Sequence, residues 1–299
     1  MILNGVMIED TFAEAFPMRA SRVIITADKA AWARTAAEAM TGFATSVIAC
    51  GCEAGIEREL PPEATPDGRP GIAVLLFAMG EQDLAKQLVA RVGQCVLTCV
   101  GTACFSGLDG DGTAPLGKSL RYFGDGFQSS KRLGGKRYWR IPVMEGEFLV
   151  EETAGVTNAV GGGNFLMLCT SGTVARAAAE AAVAAMRRLP NIVLPFPGGA
   201  VRSGSKIGSR YKGLIASTND AYCPTIRAQT KESALPPEVE SVVEIVIDGL
   251  TEADVAAATA AGVRAACAIG RGAGVVAISA GNYGGKLGPY HFHLRQVLQ

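Results

Sequence analysis

A single carboxylate interrupts an otherwise apolar stretch, SVVEIVIDG at residues 241 to 249. Side chains alternate along an extended strand, so Glu244 shares one face with Val242 and Val246. A carboxylate among apolar side chains is costly to desolvate, and its pKa rises. Such a group can act as a general acid or base, or donate a hydrogen bond to an oxyanion. Glu244 is therefore the candidate catalytic residue. The alternative is that this face of the strand is exposed and Glu244 meets solvent or a lysine.

Two glycine-rich loops of similar form are the candidate ligand contacts: PFPGGAVRSGSKIG at residues 195 to 208 and AGNYGGKLG at 280 to 288. Neither has the spacing of a phosphate-binding fingerprint. Glycines let a ligand approach the backbone and its N–H donors, while lysine and arginine side chains add positive charge for an anionic ligand. The alternative is that the glycines only form tight turns. The candidate binding residues are Gly198, Gly199, Arg202, Ser205, Lys206, Asn282, Tyr283, Gly284, Gly285 and Lys286.

The cysteines and histidines are poorly spaced for a metal or a nucleophile. None of the eight cysteines forms a C-x-x-C pair, and the only histidines are His291 and His293 near the C-terminal end. A zinc or iron–sulfur site needs four converging ligands, and a serine or cysteine nucleophile needs a base beside it. We therefore expect reduced, structural cysteines and no metal. An enzyme of this composition would act by orienting two bound reactants and stabilising charge.

Composition excludes other classes of function. Lysine plus arginine and aspartate plus glutamate both number 28, so no net charge attracts nucleic acid or an anionic membrane. The longest apolar stretches are alanine-rich and shorter than a membrane span of about 20 residues. The start, MILNGVMIED, lacks the basic and apolar regions of a signal peptide. These features predict a cytoplasmic protein.

Four units of the same pattern must position these residues. Each is a β-rich run, a helical run and a second β-rich run, and the units begin near residues 21, 71, 164 and 241. Two such units in tandem form the split β-α-β, or ferredoxin-like, arrangement, an antiparallel sheet with helices on one face. We predict an α+β protein of two ferredoxin-like lobes, residues 1 to 150 and 151 to 299.

Some boundaries can also be predicted. The second β-rich run of the first three units is TSVIAC (45 to 50), QCVLTCV (94 to 100) and NIVLPFPGG (191 to 199). Thr251 is the expected start of a helix, and Gly42, Gly93 and Gly270 stand where helices should end. KRYWRIPVMEGEFLVEE, at the lobe boundary, alternates enough to hold strands.

Many short motifs together resemble the formylmethanofuran:tetrahydromethanopterin formyltransferase family. They include NGVMIEDTFAEAF, CEAGIERELPPEATPDGRPG, WRIPVMEGEFLVEE, PFPGGAVRSGSKIGSRYK, ASTNDAYCPTIR, EIVIDGL and AGNYGGKLG, in family order over essentially the whole chain. The resemblance implies transfer of a formyl group between N5 of tetrahydromethanopterin and the amine of methanofuran or an analogue. It implies no metal or prosthetic group, substrate clefts between lobes and subunits, and a catalytic carboxylate in the E-I-V-I motif, here Glu244. Because both carriers are anionic, Arg202, Lys206 and Lys286 gain a role in binding.

The neutral charge balance departs from the strongly acidic relatives in methanogenic archaea. The chain is instead similar to the form in bacteria that oxidise one-carbon compounds, where the formyltransferase is a subunit of a formyltransferase/hydrolase complex. The resemblance therefore implies a homo-oligomer, partner subunits, or both. The alternative is a catalytically degenerate homologue that binds the carrier and scaffolds a hydrolase complex. Retention of Glu244 and of both glycine-rich loops favours the active enzyme.

Overall fold

The computed structural model describes all of residues 1–299. Its helices are α1 (Ala30–Thr41), α2 (Val47–Cys50), α3 (Glu81–Arg91), α4 (Gly117–Leu120), α5 (Gly172–Met186), α6 (Glu252–Ile269) and α7 (Leu294–Val297). Its strands are β1 (Ile2–Leu3), β2 (Val6–Ile8), β3 (Phe12–Ala27), β4 (Thr45–Ser46), β5 (Cys52–Leu60), β6 (Gly71–Ala78), β7 (Thr102–Ser106), β8 (Gly112–Pro115), β9 (Ser129–Leu133), β10 (Lys136–Val143), β11 (Gly146–Glu151), β12 (Thr153–Cys169), β13 (Ile192–Val193), β14 (Ser205–Ile207), β15 (Ala216–Thr218), β16 (Ser241–Gly249), β17 (Val275–Ser279) and β18 (Tyr290–His293).

Both halves of the chain have the ferredoxin-like strand order. In the N-terminal half the order is β7-β3-β6-β5, all antiparallel, and in the C-terminal half it is β17-β12-β16-β13, also antiparallel. Helices α1 and α3 pack on the first of these sheets, and α5 and α6 pack on the second. The predicted α+β fold with two ferredoxin-like lobes is therefore confirmed.

Small residues let α5 and α6 lie close to each other and to the sheet. The buried side of α5 is a run of alanines with Val183 and Met186, and α6 places Gly262 opposite them. A Cβ on Gly262 would lie 2.5 Å from the Met186 sulfur and 2.9 Å from the Phe165 ring. Because nothing larger than glycine fits there, the helix layer presses directly on β12, which carries one wall of the site described below.

The two lobes share a continuous sheet and exchange segments. Phe16–Ala20 of β3 pairs with Thr157–Gly161 of β12. The N-terminal parts of these two long strands therefore join the sheets of the two lobes. The core of the C-terminal lobe includes Val6, Ile8 and Ala13, and the core of the N-terminal lobe includes Ala154 and Val156. A cut at residue 150 therefore separates most of the two cores but leaves a segment of each half in the other.

A buried ion pair reinforces the junction between the lobes. Arg22 on β3 binds Glu57 on β5 through two hydrogen bonds of 2.7 and 2.6 Å. Asn191, from the C-terminal lobe, donates its backbone N–H to the same carboxylate at 2.8 Å and accepts a hydrogen bond from Arg22. A buried charge needs such complete pairing to be tolerated. This network fixes how the lobes meet.

Three predicted strands are wrong in whole or in part. Residues 94 to 100 contain no strand, because α3 continues as a π-helical turn over Val92–Val96 and the strand begins at Thr102. Val92 and Val96 are both buried, and their spacing of four residues is helical. In the first unit Val47–Cys50 is a helical turn, and in the third only Ile192–Val193 pairs. Prolines follow that short strand and cannot donate to a ladder.

The other boundary predictions are mostly confirmed. The Thr251 side chain accepts the backbone N–H of Asp254 at 3.1 Å and begins α6. Gly42 and Gly270 follow the last residues of α1 and α6, whereas Gly93 lies inside the π-helical turn and ends no helix. KRYWRIPVMEGEFLVEE forms the hairpin of β10 and β11. None of the helices combines the length and apolar character needed to cross a membrane.

Candidate active site

Glu244 lies in the middle of β16, between β12 and the segment at Val201. On one side it is in register with Leu166 of β12. On the other side it exchanges two hydrogen bonds with Val201, at 3.0 Å from its N–H and 2.7 Å to its carbonyl. Ile245 and Ile247 point into the core under α5 and α6, so the Glu244 side chain points to the opposite, open face. The predicted alternation of this strand is confirmed.

A cavity of about 650 Å³ opens over the Glu244 carboxyl. The segment that follows Val201 crosses directly above it, and a Cβ on Gly204 would lie 3.1 Å from Glu244 Oε2. Burial raises the pKa of Glu244 to about 7. At neutral pH the carboxyl therefore populates both protonation states, which is the property that a proton carrier needs.

A row of side chains runs from Glu244 across the open face of the sheet. Leu166 is in register both with Glu244 and with Ser279 of β17, so all three point to this face. The Ser279 hydroxyl is buried and lies 3.0 Å from the Tyr222 hydroxyl. Desolvation raises the pKa of Tyr222, so the hydroxyl stays protonated and can donate a hydrogen bond. Tyr222 and Glu244 line the same cavity.

The first glycine-rich loop reaches Glu244 through the residues after its glycines. Gly198 and Gly199 have φ of +70° and +91°, and a Cβ on Gly199 would lie 2.9 Å from Val183 of α5. Both glycines make a tight turn, in which Gly199 packs on the helix while Gly198 lines an adjoining cavity. The turn places Val201 beside Glu244, where their backbones pair, and places Arg202 in the cavity wall.

Ser205 and Lys206 lie further away, on the exposed hairpin of β14 and β15. Lys206 Nζ is 2.6 Å from Asp220 Oδ1, so its charge is already balanced within the chain. Neither residue lines the Glu244 cavity. Of the positive groups predicted in this loop, the structure brings only Arg202 to the carboxyl.

The N–H donors of the second glycine-rich loop are taken by the protein itself. The carboxylate of Glu14, on β3, accepts hydrogen bonds from the N–H groups of four loop residues: Tyr283 and Gly285 at 2.7 and 2.9 Å, and Leu287 and Gly288 at 2.6 and 2.7 Å. Burial opposes the charge, but these four bonds outweigh it and lower the pKa of Glu14 to about 2. The expectation that these donors face a ligand is therefore wrong.

The side chains of that loop have separate fates. Asn282 donates to the Thr11 hydroxyl and the Phe12 carbonyl, both at 3.1 Å, and accepts the N–H of Gly284 at 3.1 Å. It is a structural residue of the turn. Lys286 is exposed. Tyr283 is partly exposed, and its ring centroid lies 6.2 Å from that of Phe16.

The wall of the cavity carries two arginines. Arg202 and Arg176, the latter from α5, both line it, and Arg176 donates a hydrogen bond of 3.3 Å to the Thr173 hydroxyl. A second cavity of about 650 Å³ adjoins the first and shares both arginines with it. The adjoining cavity is more apolar, with Phe196 and Pro197 in its lining. Together the two cavities suit a ligand with an apolar body and an anionic group.

The eight cysteines are all free thiols, and Cys52, Cys104, Cys169 and Cys267 are buried. No group of three histidine, cysteine, aspartate or glutamate side chains converges as metal ligands would. His291 and His293 share one face of β18 and enclose the Phe12 ring, at centroid distances of 4.9 and 5.1 Å.

Sequence reasoning missed Tyr222, Ser279, Arg176 and Glu14. Tyr222 lies within ASTNDAYCPTIR, a motif that carries part of the family resemblance, but its spacing alone assigns it no role. Ser279 and Arg176 carry no local signal. Glu14 does: like Glu244 it is a single carboxylate in an apolar strand, within FAEAF.

Comparison with known proteins identifies the family of the chain. The family model described as formylmethanofuran-tetrahydromethanopterin formyltransferase matches residues 1–143, and that described as its proximal lobe matches residues 146–297. The chain belongs to this formyltransferase family. The two family models meet at the turn of the β10–β11 hairpin.

Formyltransferases of this family are similar to the chain over its full length. The formylmethanofuran–tetrahydromethanopterin formyltransferase of Methylococcus capsulatus is 67% identical over 100% of both chains. A chain of the formyltransferase/hydrolase complex of Methylorubrum extorquens, solved with methylofuran, superposes with a TM-score of 0.97 at 55% identity, covering 100% of this chain and 99% of that one. The formyltransferase of Methanosarcina barkeri superposes with a TM-score of 0.93 at 47% identity, covering 99% of this chain and 100% of that one.

Proposed function

We propose that this chain transfers a formyl group between N5 of tetrahydromethanopterin and the amine of methanofuran or a methanofuran analogue. The observation that carries the proposal is the desolvated carboxyl of Glu244 in the wall of a large cavity, with a pKa of about 7. The reaction passes an acyl group between two nitrogens, so charge develops on the carbonyl oxygen and a proton changes place. One carboxyl that populates both protonation states can serve both needs.

The steps balance without a covalent enzyme intermediate. The attacking nitrogen forms the new C–N bond, and the carbonyl electron pair moves to oxygen to give a tetrahedral oxyanion. Protonated Glu244 stabilises that oxyanion through a hydrogen bond. When the oxyanion collapses and the old C–N bond breaks, Glu244 gives its proton to the departing nitrogen, and the carboxylate that results takes up the proton that the attacking nitrogen loses. Both reactants must be bound together, and orienting them lowers the barrier further.

Arg202 and Arg176 are the proposed contacts for the anionic groups of the carriers, because both line the cavity that holds Glu244. The exposed Lys286 and the Lys206–Asp220 pair have no comparable support. We propose that the carriers are co-substrates and that no cofactor is tightly bound.

We further propose that the chain works in the cytoplasm, in the oxidation of formaldehyde-derived one-carbon units by methylotrophs. The formyl group would leave tetrahydromethanopterin for the methanofuran analogue. Eight free thiols suit a reducing compartment. The likeness to a chain of a formyltransferase/hydrolase complex supports assembly with hydrolase subunits, as an oligomer. The alternative of a catalytically degenerate scaffold would not need a desolvated carboxyl at Glu244.

The test is formyl transfer by the full-length Glu244→Gln variant. The introduced amide would keep the size of the side chain but could not carry the proton, so we expect turnover to fall by about 10²- to 10⁴-fold with substrate binding retained. Glu240→Gln is the matched control, because Glu240 is exposed on the rim of the same cavity. Undiminished turnover of Glu244→Gln would refute the assignment. Purification from the native host, with identification of the co-purifying subunits, tests the assembly.

A further inference from the structure

The loop from Gly281 to Gly288 is built around one carboxylate. Glu14 is 1% exposed, and its two oxygens share the four loop N–H groups equally. Gly284 and Gly285, with φ of +73° and +70°, give the loop the left-handed turns that bring these four N–H groups to one side. This geometry forms a concave anion site of the kind that usually holds a bound ion. Here the anion belongs to the chain, so the glycines, which first suggested a ligand site, serve to enclose Glu14.

The same loop lies on the open face of the sheet beside Glu244. Asn164 anchors its first residue, accepting the Gly281 N–H at 2.6 Å and donating to the Gly281 carbonyl at 3.1 Å. Asn164 is two residues before Leu166 on β12, and Leu166 is the strand partner of Glu244. Asn164 and Glu244 therefore lie on one face, in neighbouring rows.

Tyr283 links the two carboxylates. Its N–H is bound by Glu14, and its ring packs near Phe16. Burial raises the pKa of the Tyr283 hydroxyl, and the charge of Glu244 and then that of Glu14 raise it further. The Tyr283 side chain therefore lies within electrostatic reach of both carboxylates.

We propose that Glu14 is a positioning residue for formyl transfer: its carboxylate fixes the loop so that Tyr283 covers the sheet beside Glu244 and shields that carboxyl from water. The inference rests on the proposed catalytic role of Glu244. Glu14 itself touches no substrate, and its charge is satisfied by the backbone. It acts through Tyr283, whose place depends on the four hydrogen bonds.

Other charged groups near these residues must be considered in any pH experiment. Several titratable and charged groups face Glu244 or Glu14. They are Tyr283 of the loop, Arg202 of the segment above Glu244, Arg176, Tyr222, Cys223 and Glu240 around the cavity, and His291 of β18 beside Glu14. None of them is altered in the variants below except Tyr283.

The experiment measures the pH profile of formyl transfer from N5-formyl-tetrahydromethanopterin to methanofuran by the full-length protein. Glu14→Gln keeps the volume of the side chain but removes the charge and puts an amide donor against two loop N–H groups. Released from its anchor, the loop would admit water to Glu244. Hydration lowers the pKa of a carboxyl. The limb of the pH profile that reflects Glu244, near pH 7, should therefore move to lower pH by about one unit or more, whether Glu244 acts as acid or base.

Two further variants separate shielding from charge and from folding. Tyr283→Ala keeps the backbone hydrogen bonds to Glu14 but removes the aromatic ring, so it should shift the same limb of the pH profile in the same direction. Tyr283→Phe keeps the ring and should leave the limb in place. If Glu14→Gln does not fold, the two Tyr283 variants test the proposed shielding of Glu244 by themselves. Glu63→Gln, an exposed carboxyl in the N-terminal lobe, is the control for loss of a charge.

The outcomes distinguish this inference from the proposed function. Unshifted limbs in both Glu14→Gln and Tyr283→Ala, with Glu244→Gln inactive, would overturn the positioning role alone. A fully active Glu244→Gln would overturn the catalytic assignment on which it rests. Shifts in Glu14→Gln and Tyr283→Ala without one in Tyr283→Phe or Glu63→Gln are the expected result.

Discussion

Desolvation of Glu244 should be measurable as pH-dependent stability, without any substrate. Burial raises the pKa of this carboxyl from its ordinary 4.5 to about 7. One pH unit of pKa change corresponds to about 1.4 kcal/mol, so ionised Glu244 would cost the fold about 3 kcal/mol at most, since part of the side chain still meets water. Because the pKa is higher in the folded state, this contribution to stability is fully present below about pH 4.5 and is lost as the pH rises through about 7.

Glu244→Gln removes the titration and nothing else of similar size. We expect the free energy of unfolding of the variant, relative to the wild type, to increase by about 2–3 kcal/mol between pH 5 and pH 8. Urea unfolding of both proteins across this range gives the difference, and groups that titrate in both proteins cancel. Glu240→Gln, which removes an exposed carboxyl from the rim of the same cavity, is the matched control. A flat difference for Glu244→Gln would mean that the carboxyl is hydrated, and the chemical argument for its role would fail.

Three other variants test the surroundings of the site. Gly204→Ala would put a methyl group 3.1 Å from Glu244 Oε2, so we expect turnover to drop about tenfold or more while the thermal midpoint changes little. Arg202→Ala should raise the KM for an anionic carrier about tenfold with kcat nearly unchanged, since a charge-assisted hydrogen bond contributes about 1.5 kcal/mol; a change in kcat alone would contradict its binding role. Glu57→Gln leaves Arg22 buried without its counter-charge and should lower the free energy of unfolding by about 3–5 kcal/mol in urea titrations, whereas a loss below about 1 kcal/mol would show that water replaces the pair.

Local patterns in the chain predicted most of the secondary structure. Alternation in SVVEIVIDG and the helical period of TVARAAAEAAVAAM are set by residues within one element, so they are visible without the fold. The strand predicted at 94 to 100 is wrong because an apolar run of this length fits both the strand period and the helix period. The buried residues Val92, just before the run, and Val96, within it, follow the helical period, and the preceding helix continues through them.

The candidate site was only partly predictable, because a buried carboxylate looks the same in sequence whatever partner it finds. Glu14, Glu244 and Asp248 each interrupt an apolar strand. Burial by itself would raise the pKa of Glu14, but four backbone hydrogen bonds outweigh it and lower that pKa to about 2. Burial alone raises the pKa of Glu244 to about 7. Burial and then the neighbouring charge of Glu53, with which Asp248 shares a hydrogen bond, raise the pKa of Asp248. The chemical role of each follows from these surroundings.

The sequence by itself determined most of the element types, the repeated ferredoxin-like lobes, the family, and the face of the strand on which Glu244 lies. These properties depend on neighbours within a few residues or on motifs in order along the chain. Only the tertiary structure decided which donors and charges are free. Glu14 meets residues about 270 positions later in the chain, and Lys206 meets Asp220 across a hairpin. Contacts at such separations arise from how the strands assemble, and they engage the N–H donors of the second loop with Glu14 and the charge of Lys206 with Asp220.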